Sequence, residues 1–544
     1  MFIIPKRFRG IKRFEQILRI LAKYELGFLL EKIRLKKHSL FPRKKNALPA
    51  DLRRMFEELG GSFIKLGQLL SLRPDLIPRE YCDELSKLQD DVPPISYAEV
   101  EHVLKAEFGK PVKKVFRSFE KKPIASASIG QVHVAKLKNG KKVAVKVMRP
   151  GIKALFETDL EILEHLARLI KHHLKQSIVD PEEIFQEFKQ YTENELDYLK
   201  EAHNIKIFYN NFKKDKKIII PAVIDKLTTH RVLVMDFVEG VELKNIISHP
   251  KQFKRVNKKK IAGLIVYSVL KQIFVDGFFH ADPHPANIIV NKDRIGFIDF
   301  GIIGRLDEEL KEKLGLLFIS MIHRDANGMV KSFISLNMVD SDVDVNGLKE
   351  DIRNIVGEYY DTGLEKMDFA ELFFKSIGVA KKHNIRLPKD FVLLGKALVT
   401  LQGVGIELNP GFNLVRETKP FIDHLVDQKK KPSYLAQRLA RETERFAEFV
   451  QGLPDESQRV YKTIQKADIA LDSINTDLRS LTKEVRVEGW RIIMGIIIAA
   501  LVIGASLTYK AIQPMSIAFI IIACILVVYL LFSMIKDTFR SKKW

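Results

Sequence analysis

The residues best equipped for chemistry lie between His280 and Gly301, where His280-Ala281-Asp282-Pro283-His284-Pro285-Ala286-Asn287 leads through an apolar run to Asp299-Phe300-Gly301. An Asp, four residues, an Asn, and then an Asp-Phe-Gly is the order in which phosphoryl-transfer sites set a base and two Mg²⁺ ligands beside a nucleotide. Without the Asp-Phe-Gly, the same residues would read as a polar surface loop. Ile288-Ile289-Val290 and Ile295-Gly296-Phe297-Ile298 are β-rich runs around the turn formers Asn291-Lys292-Asp293-Arg294. That pattern predicts a hairpin whose open ends hold Asn287 and Asp299, so both side chains can face one metal pair.

Other elements must bring a phosphate-binding group to this hairpin. Val132, Val134 and Leu137, then Asn139-Gly140, then Val143, Val145 and Val147 alternate about a turn, which predicts a twisted antiparallel sheet. Lys146 is a lone cation on the second of these strands, at the place of the Val-Ala-Ile-Lys lysine of kinases, and a buried Lys needs a charged partner. Candidates lie on a helix containing Glu193, Glu195, Asp197 and Glu201, and spacing alone does not choose among them. Ahead of the first strand, Ala125-Ser126-Ala127-Ser128-Ile129-Gly130-Gln131 stands where a Gly-rich loop would be, and its small side chains leave backbone amides free to approach phosphates. Arg231 to Gly240 reads as a strand leading to a hinge, Lys260 to Asp276 as a helix before the catalytic loop, and helices follow to about Leu425.

With 544 residues and 46% hydrophobic content, the chain can bury the cores of two or three domains. Lys and Arg exceed Asp and Glu by 90 − 68 = 22, which favours anionic partners. The basic residues crowd toward apolar ends, so anionic membrane lipids are expected and nucleic acid is not. Cys82 and Cys524 alone exclude a disulfide framework or a thiolate zinc site. The first 50 residues mix Lys6, Arg7, Arg9, Lys12, Arg13, Arg19 and Lys23 with Phe8, Ile11, Phe14, Ile17, Leu18 and Leu21 at helical spacing, which suits a membrane-surface helix. An amphipathic helix packed on its own domain fits equally well. Glu15, Glu25 and Glu31 argue against a transit peptide. At the other end, Ile492 to Tyr509 and Met515 to Ile535, parted by Lys510 and Pro514, predict a transmembrane hairpin. Arg491 before it and Lys536, Arg540, Lys542 and Lys543 after it place both ends in the cytoplasm. Ala500 and Gly504 share one face, which suits close packing within the hairpin or between copies in a homo-oligomer.

Taken together, these residues resemble the UbiB family of atypical, kinase-like membrane proteins, also called the ADCK group, which support coenzyme Q biosynthesis. Lys65-Leu66-Gly67-Gln68 is similar to its Lys-x-Gly-Gln motif, though Lys65 taken alone reads as a solvated surface charge. The Ala125 to Gln131 loop is similar to its Ala-rich loop and Glu195-Leu196-Asp197 to its Glu-x-Asp motif; Ala286 departs from the usual Gly. The resemblance implies an α+β, bilobal protein-kinase-like fold: a basic segment (1–50), a helical extension (51–114), the kinase-like domain (115–425), a charged helical linker (426–490) and the two-helix transmembrane hairpin (491–544). It implies ATP against Ile124, Ala125, Ser126, Ala127, Ser128, Ile129, Gly130, Gln131 and Val132, with Lys146 on its phosphates and Asp282 as base. Asn287 and Asp299 would hold Mg²⁺. Glu201 would partner Lys146, while Glu195 and Asp197 would meet the Lys65 helix where a protein substrate would otherwise lie.

The function so implied is an ATPase or phosphotransferase of the bacterial inner membrane, its kinase-like domain facing the cytoplasm, acting on quinone intermediates or on their enzymes rather than as a protein kinase in trans. A small-molecule kinase is an alternative, because His280-x-Asp282-x-His284-x-x-Asn287 also resembles aminoglycoside and choline kinases. A non-catalytic, nucleotide-gated scaffold of a membrane complex is another.

Overall fold

A computed structural model describes residues 10–24, 49–88, 92–173, 180–322, 325–336, 344–360, 368–383, 385, 387–429, 494, 498, 501–502, 505 and 517–529. The chain divides into two units, Met1–Lys429 and Lys430–Trp544.

In the first unit, β1 (Phe116–Phe119), β2 (Ala125–Ser126), β3 (Gly130–Leu137), β4 (Lys142–Met148) and β6 (Val232–Asp236) form an antiparallel sheet of order β1-β3-β4-β6, with β2 on β3. Period-two alternation gives this sheet two unlike faces. Val143, Val145, Val147, Val232 and Val234 are fully buried against Val100, Val103 and Leu104 of helix α5 (Tyr97–Phe108), whose start is fixed by the Ser96/Glu99 capping box. The opposite face carries Val132, Lys146 and Met235 toward the cleft.

Below the cleft, β5 (Ile218–Ile219), β7 (Val241–Glu242), β9 (Ile288–Asn291) and β10 (Arg294–Phe297) pair in the order β5-β10-β9-β7. A separate pair joins β8 (Phe278–His280) to β11 (Ile303–Arg305). The expected hairpin is β9-β10, and it turns more tightly than the sequence suggested. Asn291 already pairs with Arg294, and Lys292 takes up the turn at φ 54°. Beneath lie α10 (Lys258–Lys271) and a helical array: α11 (Glu308–Ile322), α12 (Ala326–Ser335), α13 (Val345–Tyr360), α14 (Phe369–Lys382), α15 (Lys389–Leu408) and α16 (Leu414–Lys429).

Among the described residues, α5 is preceded by α1 (Ile11–Lys23), α2 (Pro49–Leu59), α3 (Ser62–Ser71) and α4 (Arg79–Leu85). The expectation of a membrane-surface helix fails for α1. Phe14, Ile17 and Ile20 are buried with Phe56, Phe63 and Ile162, the last on α6 (Ile152–His173). Its cation Arg13 is bound to the fully buried Asp159 of α6 at 2.8 Å, and Ser62 donates to the same carboxylate. The acidic run 193–201 is likewise two helices rather than one: α7 (Pro181–Glu195) ends and α8 (Tyr198–Phe212) begins because Asp197 caps the Leu199 amide.

Among the described residues, α15 alone is long and apolar enough to cross a membrane, and most of it is buried as a core helix. Of the expected hairpin, Ile517–Tyr529 is an apolar helix with exposed Ile521, Ile525 and Val528. Most of its first arm and the linker from Lys430 to Trp490 lie outside the described residues.

Candidate active site

A cavity of about 690 Å³ between the sheet and the β9-β10 hairpin is lined by Lys65, Ala125, Lys146, Glu201, Asn287 and Asp299, among others, and falls within the range of small-molecule sites.

Lys146 reaches this space because β4 turns every second side chain away from the valine core. Its ammonium lies 2.8 Å and 3.0 Å from the two oxygens of Glu201, and the fifth of its side chain that is exposed opens into the cavity. Burial opposes the charge on Lys146, but the carboxylates of Glu201 and Asp299 outweigh it and hold the pKa well above the usual lysine range. Burial also pushes the Glu201 pKa up, an effect that Lys146 offsets only in part. α8 is held in register by Asn204, which donates to the Phe300 carbonyl at 3.1 Å, and by Phe208, whose ring is tilted 50° against that of Phe300 at 5.1 Å.

The Asp-Phe-Gly segment is fastened from the other side by His280. Its Nε2 sits 2.5 Å from the Asp299 carbonyl and its Nδ1 accepts the Asp282 amide, which describes a neutral ring protonated at Nε2. Burial works against the Asp299 carboxylate, but Lys146 and the Gly301 amide more than offset it and set its pKa below the ordinary value. Asn287 donates from its amide nitrogen to the Asp282 carbonyl at 3.3 Å, which leaves its oxygen available. One amide and one carboxylate oxygen suit Mg²⁺ held chiefly by phosphates and water, the usual mode for that ion. Among the described residues no cluster of three or more His, Cys, Asp or Glu could hold a metal without such help. Asp282 is half-buried and does not line the cavity.

Lys65 is not a surface charge. It is 8% exposed, lines the cavity, and pairs with Glu195 at 3.2 Å, whose other oxygen accepts from Tyr191 at 2.6 Å. The rest of its motif seats the helix. A Cβ on Gly67 would lie 2.3 Å from Leu88 and 2.6 Å from Phe56, and Gln68 donates to the Leu88 carbonyl at 3.4 Å. Asp197 departs from expectation: it caps α8 and accepts from His230 at 2.9 Å, so Glu195 alone of the Glu-x-Asp pair meets the Lys65 helix.

The loop is divided in the same way. Ala125, Ala127, Ser128, Ile129, Gly130 and Val132 line the cavity, whereas Ile124 is exposed and Ser126 is bound by Arg149. Gln131 faces the opposite side of β3, where its oxygen accepts the Ile95 amide at 2.9 Å and its nitrogen meets His133 at 2.8 Å. Sequence reasoning missed Arg149, Tyr198 and Asn204. The last two share with Glu201 an i, i+3 face of one helix, a signal that was present once Glu201 was chosen.

Models of two domain families match the chain, the ABC1 atypical kinase-like domain over residues 87–333 and the UbiB helical domain over residues 352–413. A protein of Clostridium pasteurianum, described as an uncharacterized protein in the hydrogenase 1 5′ region, is 31% identical over 97% of this chain and 99% of its own. A protein of Aeromonas hydrophila named probable protein kinase UbiB is 32% identical over 85% of this chain and 86% of its own. A solved Mycobacterium tuberculosis chain, Rv3197 with erythromycin, has TM-score 0.48 and 23% identity, covering 73% of this chain and 97% of that one. Two domain models in tandem, and relatives matched along most of their length, place the chain in the UbiB family of atypical kinase-like proteins.

Proposed function

We propose that the cleft binds Mg-ATP and that the chain is a membrane-anchored atypical kinase or ATPase supporting ubiquinone biosynthesis, acting on quinone intermediates or on the enzymes that make them. The observation that carries the nucleotide reading is the convergence of the Lys146–Glu201 pair, Asn287 and Asp299 on one cavity. Lys146 would take the phosphates, Asn287 and Asp299 would hold Mg²⁺, and Asp282 would serve as base once substrate draws it in. The quinone reading is supported by the family, whose Aeromonas hydrophila relative carries the name UbiB. The family resemblance puts α3 where a peptide substrate would dock, and Lys65 lines the cavity, which favours a small or lipid-like acceptor, or hydrolysis, over phosphorylation of proteins in trans.

Anchoring by a hairpin in the bacterial inner membrane, with contacts to anionic lipid and between copies, is supported by the two apolar runs and by the helix Ile517–Tyr529 with its apolar side chains outward. Thermal stabilisation by Mg-ATP tests the site. It should be present in the unaltered chain and lost in Asp299→Asn, and an Asp299→Asn chain stabilised as well as its parent would overturn the metal assignment. Quinone intermediates accumulating in a deletion strain test the pathway. Asp282→Asn separates catalysis from scaffolding: the scaffold reading predicts that this allele still restores quinone content.

A further inference from the structure

Tyr198 opens α8 one turn before Glu201. It is 2% exposed, lines the cavity, and its hydroxyl has no hydrogen-bond partner. Buried tyrosine hydroxyls almost always find one, and each exception calls for a reason. The hydroxyl is given its place at some cost to the sheet. A Cβ on Gly130 would lie 2.4 Å from it and 2.6 Å from the Val147 carbonyl, so β3 can begin here only with glycine. The Lys146 ammonium stands 5.3 Å from the centre of the same ring, which aligns the tyrosine with the cation of the site.

The adjoining loop is pinned by hydrogen bonds. The Ala127 amide donates to the Gly130 carbonyl at 2.8 Å, the Arg149 amide to the Ile129 carbonyl at 2.8 Å, and the Arg149 guanidinium to the Ala127 carbonyl at 2.9 Å. A second hydroxyl without a partner lines the cavity, that of Ser128, which is 5% exposed. Two orphaned hydroxyls lining one cavity with Lys146 describe a polar subsite that is complete only when an anionic oxygen enters.

We infer that the Tyr198 hydroxyl, with that of Ser128 as its companion, donates to the phosphate chain of the bound nucleotide, adding side-chain donors to those of the loop. The inference rests on the nucleotide reading and adds to it a residue on the helix that also carries Glu201. Filling the site thereby seats α8: one ligand touches Lys146, its Glu201 partner's helix and the loop together. Burial raises the Tyr198 pKa above its ordinary value, so the hydroxyl remains a donor at neutral pH.

Tyr198→Phe and Ser128→Ala in the full-length chain test this, since each removes a hydroxyl and keeps the packing. Calorimetric titration with Mg-ATP, Mg-triphosphate and adenosine should show roughly tenfold weaker binding of the two phosphate ligands to Tyr198→Phe and unchanged adenosine, a tenfold change being about 1.4 kcal/mol. Without ligand, the variant should melt no lower than its parent, because an unpaired buried hydroxyl has been removed. A hydroxyl that served only the fold would lower the unliganded melting temperature and leave the affinities alone, and that result overturns the inference. Equal loss of adenosine and phosphate ligands would also overturn it, by showing a general loosening of the cleft. If the unaltered chain bound no adenine nucleotide, the nucleotide reading would fall and this role with it; intact Mg-ATP binding in Tyr198→Phe would remove the hydroxyl's role alone.

Discussion

Taking the ammonium away from Lys65 strands the Glu195 carboxylate in a buried setting, and removing one partner of such a pair costs about 3–5 kcal/mol. Lys65→Ala should lose stability of that order in urea unfolding, while the apolar double change Lys65→Met with Glu195→Leu should recover much of it; strictly additive losses would show that the pair is not coupled. Labelled ATP should also reveal phosphorylation of the Lys65→Ala chain on itself once α3 no longer fastens the cleft, with quinone content falling in cells carrying that allele. His133 provides a test in pH. Burial lowers its pKa from the ordinary 6.5, a shift that the Glu120 carbonyl opposes only in part. The network also needs the neutral ring, because Gln131 is oriented by Ile95 and turns its NH₂ group toward Nε2. The unfolded chain therefore binds more protons than the folded one as pH falls through 6.5, so stability declines on acidification. The melting temperature should drop between about pH 7.5 and about pH 5.5, and less steeply in His133→Gln. Lys146 could be read from sequence because an isolated cation in a valine strand is a local anomaly. The burial of Lys65 could not, because its partner lies 130 residues away and no local period encodes that contact.

Among the elements, α3 depends for its place on a single small residue. Gly67 sits where any side chain would press on Leu88 and Phe56, and overpacking of this kind costs about 1–3 kcal/mol. Gly67→Ala should lower the urea midpoint accordingly and, by shifting Lys65, weaken Mg-ATP stabilisation as well; a loss of stability with unchanged nucleotide response would separate packing from the site. The hairpins and the helix before the catalytic loop were legible because their periods and turn residues are local. The membrane reading of α1 failed because an amphipathic stripe does not state what it packs against. The break between α7 and α8 was written in the sequence as an Asp ahead of a helix, and it was obscured by the acidic residues on either side.

At the scale of the whole chain, the unit ending at Lys429 has its own cores and its own site, so a chain stopped there should fold cooperatively and retain Mg-ATP stabilisation. Because the apolar face of α1 is already covered, any adhesion of that shortened chain to anionic vesicles should be electrostatic and released by salt. Sedimentation with anionic and neutral vesicles checks this, and equal binding to both would refute it. The segment between α3 and α4 bears on motion as well. Arg73 grips Asp75 at 2.7 Å and is bonded to Glu187 on α7, the Pro74 carbonyl next to it accepts from Lys381 of the helical array at 2.8 Å, and Lys65 on the adjoining α3 holds Glu195. The strap thus ties α7 to the helical array. If the cleft binds nucleotide as proposed, its exchange should depart from the clamshell cycle of a freely hinged molecule. Its tempo should then follow how often a few ionic stitches come undone, so that nucleotide residence time, more than affinity, is the quantity that salt and strap substitutions should change.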